Sequence, residues 1–134
     1  MFVKRFRYGI AAATFGLALA CSNSTGPLAP FQPQINNTTD NFQLQATGVS
    51  NATWTYTYAW LNSGDSATVN QATTVTTGSA TVTISDSTGA QLYNQSLSAN
   101  GTFGMAKGIH GHWTVKVVLL NYGGTLNFRV QKAP

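Results

Sequence analysis

The chain has few acidic residues, one cysteine and no long apolar run, and each shortage excludes some classes of protein. Its 134 residues include three Asp, no Glu and one Cys, and 7% are charged, against about 25% in ordinary globular proteins. Hydrolysis by carboxylates needs a close pair of them, and the many hydroxyls come with no nucleophile-elbow motif. The single cysteine excludes an internal disulfide. The sequence therefore predicts a protein that is not an enzyme and has no cofactor.

Positive charge is concentrated near the N-terminus. The formal net charge is +4, and Lys4, Arg5 and Arg7 supply three of the seven basic residues. Four basic residues then face three Asp in the rest of the chain, which leaves a net charge of +1 there. Binding to nucleic acid needs clustered cations along a phosphate backbone. We therefore expect no nucleic-acid partner.

Hydroxyl and amide side chains take the place of the missing charges. The chain contains 19 Thr, 10 Ser, 11 Asn and 8 Gln. Thr is enriched in β-strands, so this composition favours a neutral, β-rich surface. Such a surface suits an exported all-β domain, and it also suits a subunit buried among partners.

The first 21 residues have the order of a secretory signal. Three cations precede an uncharged run over residues 8–20, and Cys21 follows at once. A basic segment followed by a short apolar one is typical of export signals. As a helix, residues 9–20 would rise about 18 Å, whereas the bilayer core is about 30 Å thick. We therefore predict an apolar signal helix over residues 1–21 that is too short for a stable membrane span.

Residues 17–21, Leu-Ala-Leu-Ala-Cys, resemble the lipobox of bacterial lipoproteins. The resemblance implies that Cys21 is acylated and anchors the protein on the periplasmic or outer-membrane side. Ser22 resembles the residue found at this position in lipoproteins that continue to the outer membrane. The alternative is a free or buried thiol in an unmodified secreted protein, although an unpaired cysteine in an exported chain requires an explanation.

Proline, asparagine and threonine dominate residues 22–41. Pro27, Pro30 and Pro33 are followed by Asn-Asn-Thr-Thr at positions 36–39. Segments of this composition do not build a core. We predict an extended tether over residues 22–41 that either spaces the domain from the membrane or lies along a partner, and one domain over residues 42–134.

From residue 42 onward, apolar residues recur at every second position, which is the period of a β-strand. Residues 113, 115, 117 and 119 share one apolar face, while Val118 and Leu120 on the other face indicate a central strand. Turn signals occur at residues 62–65, 86–89, 100–101 and 121–124. The last of these predicts a hairpin between strands over residues 113–120 and 124–130.

This pattern predicts an all-β fold, a single antiparallel β-sandwich of seven to nine short strands, immunoglobulin-like or jelly-roll-like. Residues 79–89, 111–117 and 124–130 resemble segments of small bacterial lipoproteins with sandwich domains, and also of pre-peptidase C-terminal domains. The resemblance implies architecture alone. Pre-peptidase domains often bind calcium through acidic loops, and this chain lacks the acids.

Four aromatic residues alternate with small ones between positions 53 and 60, namely Trp54, Tyr56, Tyr58 and Trp60. On a strand these four side chains point the same way. Facing outward, they would form a platform for sugar rings, lipid headgroups or a partner's apolar surface. Facing inward, they would be half of the sandwich core, and Thr53, Thr55 and Thr57 would face solvent.

His110 and His112 form the only histidine pair, and Met105 lies in the same glycine-rich loop. Imidazole and thioether ligands suit copper. Without a carboxylate or thiolate the ligand set is incomplete, so we predict no metal site and expect these side chains to lie in solvent or to bond to the backbone.

Taken together, the sequence predicts a non-catalytic, membrane-anchored extracytoplasmic protein. We expect it to act as an accessory interaction subunit of a larger membrane or envelope complex. Respiratory and photosynthetic assemblies are hosts of this kind, though no residue identifies either. The alternative is a surface lipoprotein that binds carbohydrate or another ligand through the aromatic residues 54–60.

Overall fold

The computed structural model describes residues 26–134, which form a short 3₁₀ helix and seven antiparallel β-strands. The predicted all-β fold is confirmed, and the strand number lies within the expected seven to nine. The predicted signal helix lies outside the described residues. The elements are the 3₁₀ helix Gly26–Phe31 and the strands β1 Gln34–Thr38, β2 Asn41–Asn62, β3 Ala67–Gln71, β4 Thr74–Ser85, β5 Gln91–Ser96, β6 Gly101–Gly104 and β7 Gly111–Lys132.

Two strands of 22 residues each, β2 and β7, run antiparallel along their whole length. β3 and β4 follow the other side of β7 in succession, from Lys132 to Thr114. The central position predicted for residues 113–120 is therefore confirmed. On the outer face of that strand Val118 is half-buried, and Leu120 is 53% exposed.

The long strands bend midway, and the bend folds one sheet into two facing halves. The β2–β7 register shifts between residues 46 and 54, and the β4–β7 register shifts between residues 75 and 79. One half has the strand order β1-β2-β7-β3-β6, and the other consists of β2, β7, β4 and β5. Phe42 and Tyr58 lie on the same strand, yet their rings are 5.1 Å apart across the interior. The result is a sandwich made from a folded sheet.

The hairpin predicted at residues 121–124 is wrong, because β7 continues through this segment. Asn121 and Gly124 have positive φ, of 47° and 143°. The same left-handed conformations that make Asn-Gly sequences favourable in turns are used here to bulge and bend the strand. Residues 42–47 and 53–60 lie on one strand, as the two halves of β2.

The interior between the halves is filled by alternate residues of the long strands. Trp60 and Trp113 pack edge to face with centroids 5.8 Å apart. The face predicted from residues 113, 115, 117 and 119 is fully buried. The largest fully buried side chains are Trp60, Trp113, Tyr122, Phe42, Phe128, Leu28, Leu44, Ile84, Leu97, Leu119, Leu126 and Gln71.

One polar cluster joins the halves inside this core. Tyr93 Oη donates to Gln71 Oε1 at 2.6 Å. Gln71 Nε2 donates to the carbonyl oxygens of Ser96, at 3.1 Å, and Ala99. A buried amide is costly unless its polar atoms are paired, and here both ends of the amide have partners. The cluster therefore ties β3 to the end of β5.

The fold includes much of the segment predicted as a tether. β1 pairs with β2 along its whole length, and Leu28 of the 3₁₀ helix is fully buried. The Leu28 amide donates to Tyr56 Oη at 2.9 Å. Residues 22–41 are mostly polar residues and proline, but two apolar residues among them pack into the core. These are Leu28 and the partly buried Ile35. The folded unit thus begins at least 16 residues before the predicted boundary at Phe42.

In the part of the chain that the structure describes, no helix has both the length and the apolar character needed to cross a membrane.

A pair of glycine substitutions tests the bend. Gly48 and Gly78 have nearly equal φ, +67° and +65°, but a Cβ on Gly48 meets no atom within 4 Å. A Cβ on Gly78 would collide with the carbonyl oxygens of Leu120 and Asn121. Gly48→Ala should therefore cost about 1–2 kcal/mol of unfolding free energy from backbone strain alone. Gly78→Ala should cost about 3 kcal/mol or more, because the collision adds to the strain.

Chemical denaturation of both variants measures the difference, and Gly48→Ala is the matched control for left-handed strain. Equal destabilisation by the two substitutions would contradict the close approach of β4 to β7 at the bend.

Candidate functional site

The aromatic residues 54–60 are divided between the core and the surface. Trp60 is fully buried, and its Nε1 donates to the Thr38 carbonyl oxygen at 3.1 Å. Tyr56 is 7% exposed, and Tyr58 is half-buried against Phe42. The inward orientation, one of the two interpretations of the sequence, accounts for these three rings.

The two tyrosines are stacked and stay protonated at neutral pH. Their ring planes are 6° from parallel, with centroids 6.3 Å apart. Burial, with a smaller contribution from the neighbouring Tyr56, raises the pKa of Tyr58 to about 12. Burial also raises the pKa of Tyr56, although the hydrogen bond from the Leu28 amide opposes that shift. Neither phenol is therefore poised for proton transfer near neutral pH.

Trp54 is the one member of the row with a large exposed surface, at 51%. Its register partner on β7 is Leu119, next to the bend. The backbone of Gly26 passes so close that a Cβ there would lie 3.1 Å from the Trp54 ring and 2.7 Å from Tyr56 Oη. The row therefore does not form a four-ring platform, because three rings are committed to packing and one lies at the rim.

The histidine pair and Met105 differ in their exposure. His110 and His112 are exposed, whereas Met105 is partly buried against the core. Within residues 26–134, no group of three or more His, Cys, Asp or Glu is placed to hold a metal ion. Ser87, which lies between β4 and β5, holds the backbone of this loop. Its Oγ donates to the carbonyl oxygens of Ile109 and His110 at 3.0 and 2.9 Å.

Asp86 organises the loops at this end of the sandwich. Its Oδ1 accepts hydrogen bonds from the Thr88 amide, the Thr88 hydroxyl and the Ala90 amide at 2.7–3.0 Å. Its Oδ2 accepts from the Ile109 amide at 2.9 Å. These hydrogen bonds, the Thr88 hydroxyl first, lower the pKa of Asp86 to about 2. The carboxylate thus closes the β4–β5 turn and fastens it to the loop before β7.

The other two aspartates also have structural partners. Asp40 accepts from the Ser63 amide at 2.7 Å and its hydroxyl at 2.8 Å, and forms an ion pair with Lys132 at 3.7 Å. The Ser63 amide is the main reason that the pKa of Asp40 is lowered. Asp65 forms an exposed ion pair with Lys107 at 3.8 Å. Each of the three carboxylates thus has a structural partner nearby. Cys21, the predicted acylation site, lies outside the described residues.

The structure assembles a surface that the sequence did not reveal, which we call the amide face. It is formed by outward side chains of the half β1-β2-β7-β3-β6. Strand register places Asn36, Gln43, Arg129, Asn70 and Thr102 in one row across all five strands. The flanking members of the amide face are Gln34, Gln45, Thr68, Asn127 and Gln131.

A shallow depression of about 270 Å³ lies on the amide face, around Arg129. Asn70 Nδ2 donates to Thr102 Oγ1 at 2.9 Å on one side of it, and the Arg129 guanidinium lies 3.5 Å from Gln43 Oε1 on the other. No acid lines the depression. Asn and Gln each offer two N–H donors and a carbonyl acceptor. The amide face can therefore both donate and accept hydrogen bonds around one positive charge.

Comparison with protein-family models, curated proteins and solved structures finds no match for this chain.

The pKa of Asp86 generates a pH-dependent prediction. Because the folded state lowers this pKa from 3.8 to about 2, the carboxylate stabilises the fold above about pH 4, and that contribution is lost as the pH falls through 2. Asp86→Asn should destabilise the protein at pH 7, since the amide cannot accept all four bonds. The gap between wild type and variant should narrow towards pH 2.

Thermal unfolding from pH 7 to 2 measures this gap. Asp65→Asn is the matched control, because an exposed ion pair contributes little to stability. A gap for Asp86→Asn that stays constant with pH, or one no larger than that of the control, would contradict the assigned role.

Proposed function

We propose that this chain is a non-catalytic interaction subunit, held at the extracytoplasmic side of a membrane by an acyl group on Cys21. It serves a larger membrane or envelope complex. The observation that carries the proposal is the amide face, a surface without acids that crosses five strands and ends on uncharged edge strands.

The composition of the amide face favours a protein partner. Interfaces between proteins are depleted of Lys, Glu and Asp at their centres, while Arg is enriched there. Across the amide face, Arg129 is the one charged member among amides and hydroxyls. A partner could therefore cover this surface without stripping water from several charges, which is the costly part of burying a polar surface.

The borders of the amide face also support partner binding. β1, with the sequence Gln-Ile-Asn-Asn-Thr, and β6, Gly-Thr-Phe-Gly, are the two edges of this half in the described sheet. Natural proteins often protect such edges with lysine or other charged residues, and neither strand has one. An edge strand without charged side chains can accept an additional strand from a partner.

The state of the acids supports a non-catalytic role. Asp86 and Asp40 use their carboxylate oxygens to hold turns, and Asp65 is paired with Lys107 at the surface. Hydrogen bonds lower the pKa of Asp86 and of Asp40, which makes these two carboxylates weak bases. The binding role therefore suits the described side chains better than acid–base chemistry does.

A carbohydrate ligand is a second candidate, favoured by the depression around Arg129. Side-chain amides can bond to neighbouring sugar hydroxyls as donors and acceptors together. The ligand would lie on the amide face and not on the aromatic residues 54–60, because Trp54 is the one ring among them with a large exposed surface. Calorimetric titration with soluble oligosaccharides separates it from a protein partner.

Two matched substitutions test the amide face. Asn70→Arg places a second cation beside Arg129, its register partner. Thr57→Arg does the same beside Lys116 on the outer face of the other half. The wild type and Thr57→Arg should migrate as a larger complex when extracted from native membranes in mild detergent. Asn70→Arg should migrate alone, because bulk and like charge block the depression.

Gel filtration and native electrophoresis of the extracts give the result. Equal migration of all three proteins, whether free or in a complex, would contradict a role for the amide face.

The membrane anchor has its own test. When the full chain is produced in a bacterium, mass spectrometry should find acyl groups on Cys21, and the protein should sediment with membranes. Cys21→Ser removes the acyl acceptor and should shift the protein to the soluble fraction. Lipid anchoring would be contradicted if the wild type carried no acyl group and was found in the same fraction as Cys21→Ser.

A further inference from the structure

The two ends of the sandwich differ in charge. At one end lie the termini of β2 and β7, where the Asp40–Lys132 and Asp65–Lys107 ion pairs are found, together with Asp86. At the opposite end, which we call the bend end, the long strands turn over. It consists of residues 46–54 of β2, 74–80 of β4, 119–126 of β7 and the 3₁₀ helix, and these segments contain no charged residue and no histidine.

Exposed apolar side chains flank the bend end. Trp54 is 51% exposed and Leu120 is 53% exposed. Trp54 pairs with Leu119 in the β2–β7 register, so Leu120 lies one residue along and points to the other face. The other exposed side chains here include Ser50, Asn51 and Thr77, and the 3₁₀ helix adds the exposed Pro30, so the rim carries no charge. An amphipathic indole on such a neutral rim is typical of side chains that lie at the headgroup level of a bilayer.

The chain enters the fold at this same end. Gly26 lies against the Trp54 ring, and four residues, 22–25, separate it from Cys21. The five Cα-to-Cα steps from Cys21 to Gly26 span at most about 18 Å. The ten residues of β7 that lead away from the bend, 111–120, extend about 33 Å. An anchor on Cys21 would therefore hold the bend end close to the headgroups and the charged end much farther away.

We propose that the bend end is a membrane-docking surface, in which Trp54 inserts into the headgroup region of the leaflet that holds the acylated Cys21, and Leu120 contacts the same leaflet from the opposite face of the sheet. The inference rests on the proposed acyl anchor. Because the bend end has no basic residue, docking does not use anionic lipids, which attract polybasic segments. Its role is to orient the domain, so that the amide face stands upright from the membrane and meets partners within its plane.

Tryptophan quenching tests this arrangement on the full-length protein. Protein purified from membranes, with its Cys21 acylation measured by mass, is placed in phosphatidylcholine vesicles whose acyl chains carry bromine near the headgroup. Trp60 and Trp113 are fully buried, so quenching reports on Trp54. Emission should fall relative to unbrominated vesicles, and equally with added phosphatidylglycerol. Trp54→Phe should abolish the fall, and Leu120→Trp in that background should restore it.

The outcomes separate the two proposals. Acylated protein whose Trp54 is not quenched, or is quenched only with phosphatidylglycerol, overturns the docking surface and leaves the anchor standing. Quenching that persists in Trp54→Phe overturns it as well. Protein without acyl groups on Cys21 overturns the anchor, and the docking inference falls with it.

Discussion

The fold depends on one constraint, namely that three neighbouring strands must bend at the same level of the sheet. β2, β7 and β4 pass through the bend together. Residues with positive φ produce this bend, among them Gly48, Gly78 and Asn121. Only because the strands bend can Phe42 contact Tyr58 and the two halves exclude water from a shared interior. Burial of that interior supplies the main driving force for folding.

The bend also distributes the surface features. It brings the strand termini, and with them the ion pairs and Asp86, to one end of the molecule, and it leaves an uncharged rim with Trp54 at the other. The 3₁₀ helix closes the gap at that rim through Leu28 and Tyr56. The amide face lies on the outside of one half, between the two ends. Under the proposed function, the uncharged rim orients the domain at the membrane, and the amide face binds the partner.

The period-two pattern correctly predicted the buried face of residues 113, 115, 117 and 119, because alternation is a local property. Phe42 and Leu44 are buried, and Gln43 faces outward. The hairpin at residues 121–124 was mispredicted because a bend and a turn need the same positive φ values. The amide face was missed because its rows depend on register between strands far apart in sequence, such as Gln43 with Arg129.

The continuity of the bent strands is the central claim, and ring-to-ring nuclear Overhauser effects test it most directly. Phe42 and Tyr58 are 16 residues apart, which is about 53 Å along a straight strand, whereas the bend places their ring centroids 5.1 Å apart. A cross-peak between the two rings is the predicted result. Its absence, together with backbone contacts that pair residues 113–120 with residues 124–130 as a hairpin, would contradict the account.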